Sequence, residues 1–233
     1  MILHAFRNAH PNFHSSDINT NMRKIILSIA AVIIFWAGSL SAQSSFKPAE
    51  NPAALLEKLA EVSKNTKSIK SDFVQYKHLS ILENDIESRG IFIFAKPDKV
   101  RWEYSSPYPY LILMNGNEMT IKEGGKVQKF DTESNRVFKE INDLMVALLS
   151  GDILSNSEFD IKLKENDKQI LAEMHPRKSE LKQMLETVEL YFEKSSYEVS
   201  EIKMPESSGD YTRIIFKNRE SNVAVPNSKF LLH

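Results

Sequence analysis

Cysteine is absent from the 233 residues of the chain. Its absence excludes disulfide bonds, thiolate metal ligands, thiol nucleophiles and acylation of an N-terminal cysteine. An excess of charge of one sign is also absent, because 30 Lys and Arg residues are set against 31 Asp and Glu residues. The resulting formal net charge of -1 gives no electrostatic reason to bind nucleic acid.

Catalytic sequence motifs are absent as well. The chain has no glycine loop for phosphate, no dinucleotide-binding fingerprint and no HExxH motif. His78 and His175 fall on separate predicted strands without a nucleophile motif nearby, and we interpret them as surface residues. A carboxylate pair brought together from distant strands stays open. The sequence favours a protein that is not an enzyme and uses neither cofactor nor metal.

Long hydrophobic runs are scarce. The longest, residues 25–37, is too short to span a bilayer comfortably. The basic stretch MRK at 22–24 precedes it, and the small-residue stretch SLSAQ at 39–43 follows it. This order predicts a secretory signal peptide over residues 22–42, cleaved after Ala42, with cleavage after Ser41 as the alternative.

Residues 1–21 are polar and include His4, His10 and His14. A metal-binding tail is one interpretation, but no second segment offers it a structural partner. We interpret residues 1–21 as an N-terminal extension, with translation starting at Met22. The remaining chain, residues 43–233, is then an exported periplasmic protein with a single domain.

The exported chain begins with a predicted helix. Asn51 is a suitable cap, and Pro52 suits the first helical position. Apolar side chains recur at helical spacing on one side of PAALLEKLAEVSKNTK, whereas Glu and Lys occupy the other side. Such an amphipathic helix needs an apolar surface to pack on.

Strand-forming residues dominate after this helix. Turn sequences separate two series of segments rich in Ile, Val, Phe and Tyr, with no room for crossover helices, and this pattern predicts antiparallel pairing. About eleven strands result, near 69–80, 86–95, 99–104, 109–114, 118–123, 126–131, 158–164, 169–175, 186–193, 197–204 and 211–218.

A second helix is predicted between the two series of strands. In EINDLMVALLSGD, the side chains of Ile141, Leu144, Met145 and Leu148 fall on one face, and Gly151 is a suitable stop. This short helix is expected either to pack permanently on the sheet or to act as a moving lid.

The segment KVRWEY at 99–104 alternates between large apolar and charged side chains. Val100, Trp102 and Tyr104 therefore share one face of a predicted strand, and the charged residues point to the other. With a simple register, Phe92 and Phe94 join the same face. These rings either fill the closed core of a β-sandwich or line a cavity.

The order of several short motifs resembles the periplasmic outer-membrane lipoprotein carrier family (LolA-like). It includes SDFVQ at 71–75, Gly90 before an apolar strand, KPDKVRWEY at 96–104 and an NGN turn at 115–117. The resemblance covers residues 51 to about 233.

This resemblance implies a mainly β fold with covering helices. The family fold is an unclosed antiparallel β half-barrel of about eleven strands with an N-terminal helix, a mid-chain lid helix and an apolar cavity for acyl chains. A monomeric carrier of this kind receives acylated lipoproteins from an ATP-driven exporter in the inner membrane. It passes them to an acceptor at the outer membrane.

Site residues are assigned on the same basis. Lys96, where the family often has Arg, is expected to contact the lid or the exporter, although Lys lacks the planar fork of Arg. The lid is assigned to Ile141, Leu144, Met145 and Leu148. The assignment of Leu111 and Leu113 to the cavity depends on strand register. The expected cavity residues are Phe73, Phe92, Phe94, Val100, Trp102, Tyr104, Leu111 and Leu113.

Other functions share these features. A carrier of another envelope lipid or amphiphile would need the same cavity. A lipid sensor of similar fold is expected to continue into a transmembrane helix or second domain, whereas this sequence ends at His233. A closed β-sandwich used for protein interaction would have no cavity.

Overall fold

Antiparallel strands dominate this computed structural model, which describes residues 45–131, 154, 158–179, 182 and 186–232. The predicted signal peptide, the extension before it and the predicted lid helix lie outside the described residues. The strands are β1 (Lys47–Pro48), β2 (Ser68–His78), β3 (Ile86–Ala95), β4 (Lys99–Ser106), β5 (Tyr110–Asn115), β6 (Glu118–Glu123), β7 (Lys126–Asp131), β8 (Phe159–Glu165), β9 (Gln169–Pro176), β10 (Val188–Glu193), β11 (Val199–Pro205) and β12 (Tyr211–Ser221).

All of these strands belong to one sheet. Its order is β1-β8-β9-β10-β11-β12-β2-β3-β4-β5-β6-β7, and each neighbouring pair is antiparallel. Two meanders are thus joined by the pairing of β2 with β12. Among the described strands, β1 and β7 lie at opposite edges of the sheet and do not pair with each other, so the sheet is unclosed. The predicted antiparallel half-barrel is confirmed, with the two-residue β1 added to the eleven expected strands.

The alternation predicted for β4 is present in the sheet. Val100 and Trp102 are buried, whereas Lys99 and Arg101 are partly exposed. Residues directly opposite each other in an antiparallel pair share a face. Val100 lies opposite Phe94 and Trp102 lies opposite Phe92, and we call this face of the sheet the inner face.

The predicted N-terminal helix, α1, runs over Pro52–Asn65. The Asn51 side chain accepts a hydrogen bond from the backbone N–H of Ala54 at 3.2 Å, as the capping prediction requires. Leu59 is fully buried and belongs to the same apolar cluster as the aromatic residues of the inner face. The inner face therefore provides the apolar surface that the amphipathic sequence of α1 requires, and α1 covers part of that face.

The C-terminal segment, residues 222–232, crosses the opposite, outer face of the sheet. A short 3-10 helix over Asn227–Phe230 packs against β4 and β5. Arg101 donates a hydrogen bond from Nη1 to the carbonyl of Lys229 at 3.0 Å, and Phe230 is buried. Strand prediction did not reveal this segment, because it lacks a periodic apolar pattern.

No helix in the part of the chain that the structure describes is long and apolar enough to cross a membrane.

Candidate functional site

An aromatic cluster occupies the centre of the inner face. Phe73, Phe92 and Trp102 are buried there, with the Trp102 ring centroid 5.3 Å from Phe73 and 5.2 Å from Phe92 in edge-to-face geometry. Phe216 on β12 extends the cluster at 5.6 Å from Phe92. The pairing of β2 with β12 thus joins aromatic residues of both meanders into one apolar surface.

Tyr104 lies at the polar margin of this cluster. Its hydroxyl donates a hydrogen bond to Gln75 Oε1 at 2.9 Å, and burial raises the pKa of Tyr104 to about 12. The Tyr104 ring packs on Phe73 because Gly90, opposite on β3, has no side chain. A Cβ atom at residue 90 would lie 1.9 Å from the carbonyl oxygen of Glu103. Residue 90, which is one of the positions in the motif order of the sequence, must therefore be glycine for steric reasons.

Phe94 and Val100 form the next row of the inner face and are both fully buried. Ile69 flanks this row on β2, and Met114 continues it on β5. Of the eight expected cavity residues, six therefore lie on one face of the sheet. Their predicted role in binding acyl chains stays a prediction.

The assignment of Leu111 and Leu113 to this face was wrong. In the register of β4 with β5, Leu113 lies opposite Arg101, so both leucines point to the outer face. The C-terminal segment packs on this side of β5. The inner face of β5 instead carries Ile112 and Met114, because the connection from β4 to β5 shifts the alternation by one residue relative to the expectation.

Lys96 fastens helix α1 to the turn between β3 and β4. Its Nζ atom donates hydrogen bonds to the carbonyl oxygens of Ser63 at 3.0 Å and Lys64 at 2.9 Å. A cation bound to the last carbonyls of a helix is favourable because these groups otherwise lack partners and carry partial negative charge. The residue expected to contact a lid or an exporter thus caps α1, and its contact with either stays a prediction.

A small internal cavity lies between the C-terminal half of α1 and strands β10 to β12. Its volume of about 20 Å³ is enough for roughly one water molecule. The apolar part of its wall includes Val62, Phe92, Phe192, Ile202 and Phe216. The described side chains around this cavity therefore leave little free volume between α1 and these strands.

One end of this cavity is polar, because Arg219 and Glu198 line it. Arg219 donates hydrogen bonds from Nη1 to the carbonyl of Val199 at 2.9 Å and from Nε to Ser221 Oγ at 3.2 Å. The Ser221 hydroxyl donates in turn to the Glu198 carboxylate. Burial lowers the pKa of Arg219, whereas the charge of Glu198 acts in the opposite direction. Sequence reasoning missed this group because its members come from different segments with no common motif.

The indole Nε1 of Trp102 is a buried donor with no acceptor among the described residues. A buried polar group without a partner costs roughly 1–3 kcal/mol. Trp102 is therefore held on the inner face by its packing, despite the cost of this donor.

A larger hollow, of about 400 Å³, lies beside strands β4 to β6. Its wall includes Arg101, Glu103 and Lys122 as well as Leu111. Charged side chains on several sides make this hollow a poor place for an acyl chain, because hydrocarbon in the hollow would remove these charges from water. The apolar inner face is the better candidate for an acyl chain.

The two internal histidines have local partners. His78 Nδ1 lies 2.8 Å from Asp85 Oδ1, and its ring stacks on Tyr211. His175 Nδ1 lies 3.2 Å from the Thr187 hydroxyl. Within the described ranges, no group of three or more His, Asp or Glu side chains is arranged to hold a metal ion.

Comparisons with known proteins agree with the resemblance in the sequence. The family model "Outer membrane lipoprotein carrier protein LolA" matches residues 64–233. An outer-membrane lipoprotein carrier protein of Pseudomonas putida strain GB-1 is 23% identical over 180 residues, 75% of this chain and 82% of that protein. One from Chromohalobacter salexigens is 27% identical over 217 residues, 89% of this chain and 91% of that protein.

Solved structures give more distant matches. A LolA superfamily protein from Nitrosomonas europaea aligns with a TM-score of 0.43 at 11% identity, covering 79% of this chain and 99% of that chain. The family match rests on the sequence model, which spans well over half of the chain. The protein belongs to the outer membrane lipoprotein carrier protein LolA family.

Proposed function

We propose that this protein is a periplasmic carrier that binds the acyl chains of lipoproteins against the inner face of its sheet. It takes them from an ATP-driven exporter in the inner membrane to an acceptor at the outer membrane. One structural observation carries the proposal. Among the described residues, a broad apolar face is covered in part by the amphipathic helix α1, and a helix is easier to displace than a second sheet.

The energetics of an acyl chain explain why such a cover is needed. Burying a chain of about sixteen carbons at ~0.8 kcal/mol per CH₂ is worth about 13 kcal/mol, so an acylated protein does not cross water unaided. The cavity beside α1, at about 20 Å³, is far too small for such a chain. In this proposal, an acyl chain enters at this cavity only when α1 moves off the inner face.

Helix α1 has the features of a removable cover. Its buried contacts with the sheet are made by one side, and its C-terminal end is held by the Lys96 hydrogen bonds. Such hydrogen bonds make only a modest net contribution, because water replaces them when the helix leaves. The predicted lid residues Ile141, Leu144, Met145 and Leu148 form a second part of the cover in this proposal.

The proposal is tested by native mass spectrometry and lipid extraction of the protein purified from a periplasm that contains acylated lipoproteins. Trp102→Glu places a charge on the inner face and is expected to abolish co-purification of acylated protein. Ile91→Glu places the same charge on the outer face of β3, at a side chain that is 39% exposed, and is expected to have no effect.

Folding of each variant is checked by far-UV circular dichroism. Phe216→Gln, at a partly exposed inner-face position, replaces Trp102→Glu if that variant unfolds. Loss of acylated protein in the inner-face variant alone supports the proposal. A free lipid instead of an acylated protein identifies a carrier of another amphiphile. An empty wild-type protein contradicts the carrier function.

A further inference from the structure

The polar end of the inner cavity combines features that a purely apolar core does not need. Arg219 and Glu198 line the cavity together with Phe192, Ile202 and Phe216. A closed core would exclude a charged pair from such a wall, because burying charge is costly unless it is fully paired. A site for an amphiphile, in contrast, needs an apolar wall and a polar end next to each other.

Arg219 has hydrogen-bonding capacity left over. Its side chain is only 16% exposed. Guanidinium carries five N–H donors, and the bonds to Val199 and Ser221 use donors on Nη1 and Nε. Neither of these two hydrogen bonds uses Nη2. An additional acceptor inside the cavity would therefore bind a poorly hydrated cation.

The charge at this end of the cavity is nearly balanced. Glu198 Oε2 lies 3.7 Å from Arg219 Nε, and the Ser221 hydroxyl links the two side chains. A ligand with a full negative charge would be attracted by Arg219 and repelled by Glu198. A neutral acceptor with a strong dipole gains the hydrogen bond without that repulsion.

We propose that Arg219 donates a hydrogen bond to the ester or amide carbonyl oxygen at the head of a bound acyl group, while the hydrocarbon tail lies on the inner face. Glu198 and Ser221 orient the guanidinium and reduce its attraction for anionic heads. This site rests on the proposed carrier function and adds to it the selectivity for the polar end of the ligand.

Two probes of equal chain length separate the head groups, 1-myristoyl glycerol as the ester and myristate as the anion. An apolar fluorescent dye reports tail binding alone. Trp36→Phe in the full chain leaves Trp102 as the single tryptophan, so indole fluorescence follows binding at the inner face. The parent protein is expected to bind the ester at least about tenfold more tightly than the carboxylate.

Arg219→Gln is expected to weaken ester binding by about tenfold or more, as loss of a charge-assisted hydrogen bond implies, and to leave dye binding unchanged. Arg89→Gln is the control, since Arg89 is an exposed residue paired with Glu87. Equal weakening of ester and dye would show that Arg219 only supports the fold and would overturn the proposal.

Glu198→Gln tests the charge balance by a gain that misfolding cannot produce. Removing this carboxylate is expected to raise myristate affinity about tenfold and to change ester affinity by less than about threefold. Unchanged myristate affinity, or a parent protein that prefers myristate, overturns the neutral-carbonyl assignment while the carrier function stands. A parent protein that binds neither dye nor amphiphile contradicts both.

Discussion

Single residues shape the inner face more by how closely they let neighbouring strands and rings approach each other than by their hydrophobicity. Phe73 and Tyr104 meet edge to face at a ring-centroid distance of 5.0 Å, and this is possible because Gly90 lies between their strands. A glycine in a strand interior usually weakens the strand. Here it allows two aromatic side chains to fill the space that its own side chain would occupy.

Gly90→Ala is expected to destabilise the protein by about 2–4 kcal/mol, because the new methyl group would overlap the backbone of Glu103 and the ring of Phe73. Equilibrium urea unfolding measures the loss. Gly124→Ala is the control, since a Cβ atom there meets nothing within 4 Å and only the left-handed φ of +51° costs energy, about 1 kcal/mol. Equal losses in the two variants would contradict the steric explanation.

Secondary-structure elements decide which part of the molecule can move. Strands β2 and β12 are bonded along most of their length and join the two meanders. Helix α1, in contrast, contacts the sheet through one apolar side and is fastened at its C-terminal end by Lys96. We therefore expect α1 to leave the sheet at a lower cost than β2 or β12.

Lys96→Met is expected to lower the free energy of unfolding by about 1 kcal/mol, through loss of two hydrogen bonds to helix carbonyls. Lys96→Glu is expected to cost more, because a carboxylate faces the same carbonyls. Lys96→Arg keeps the charge and is the control. Chemical denaturation of the three variants checks this order. Wild-type stability in Lys96→Glu would contradict the capping role.

Opening of α1 is measurable with a thiol, because the chain contains no cysteine of its own. Leu59 lies on the buried side of α1, so Leu59→Cys is expected to react slowly with a maleimide in the absence of ligand. An amphiphile that displaces α1 is expected to speed this reaction at least about tenfold, since a buried thiol reacts only when local opening exposes it. Lys58→Cys, on the exposed side of α1, controls for reagent effects. A rate at Leu59→Cys that ligand leaves unchanged would exclude opening by α1.

The whole molecule is organised so that its apolar interior borders on one unclosed sheet. The strands form one continuous hydrogen-bonded sheet from β1 to β7. We therefore expect a change in the packing of the inner face to affect both meanders. If an acyl chain binds to the inner face as proposed, we expect it to stabilise the sheet as a unit. Binding to the folded state alone raises the melting temperature by mass action.

Addition of an acyl ester at about one hundred times its Kd is expected to stabilise the protein by about 2.7 kcal/mol. For a domain of this size the expected shift in Tm is roughly 5–10 °C. Differential scanning calorimetry measures it, with glycerol lacking the acyl chain as the control. A shift of the same size with glycerol would show a solvent effect instead of binding at the inner face.

Much of this architecture was determined by sequence alone. Alternation in KVRWEY places Val100 and Trp102 on one face, because successive side chains of a strand point in opposite directions. Asn51 and Pro52 mark the start of α1, since capping is a local interaction. The motif order likewise identified the family, and the match to residues 64–233 confirms it.

Tertiary structure decided the rest, because it depends on register and on contacts between distant residues. The face of Leu113 follows from the connection before β5, since a shift of one residue reverses every side chain of a strand. Arg219 and Glu198 are brought together by strand pairing and a local bulge, with Asn218 in the left-handed region at φ 51°. Lys96 meets the end of α1 across 32 residues of sequence. Local physical rules specify the strands and the helix, whereas only the folded sheet determines which side chains enclose its interior.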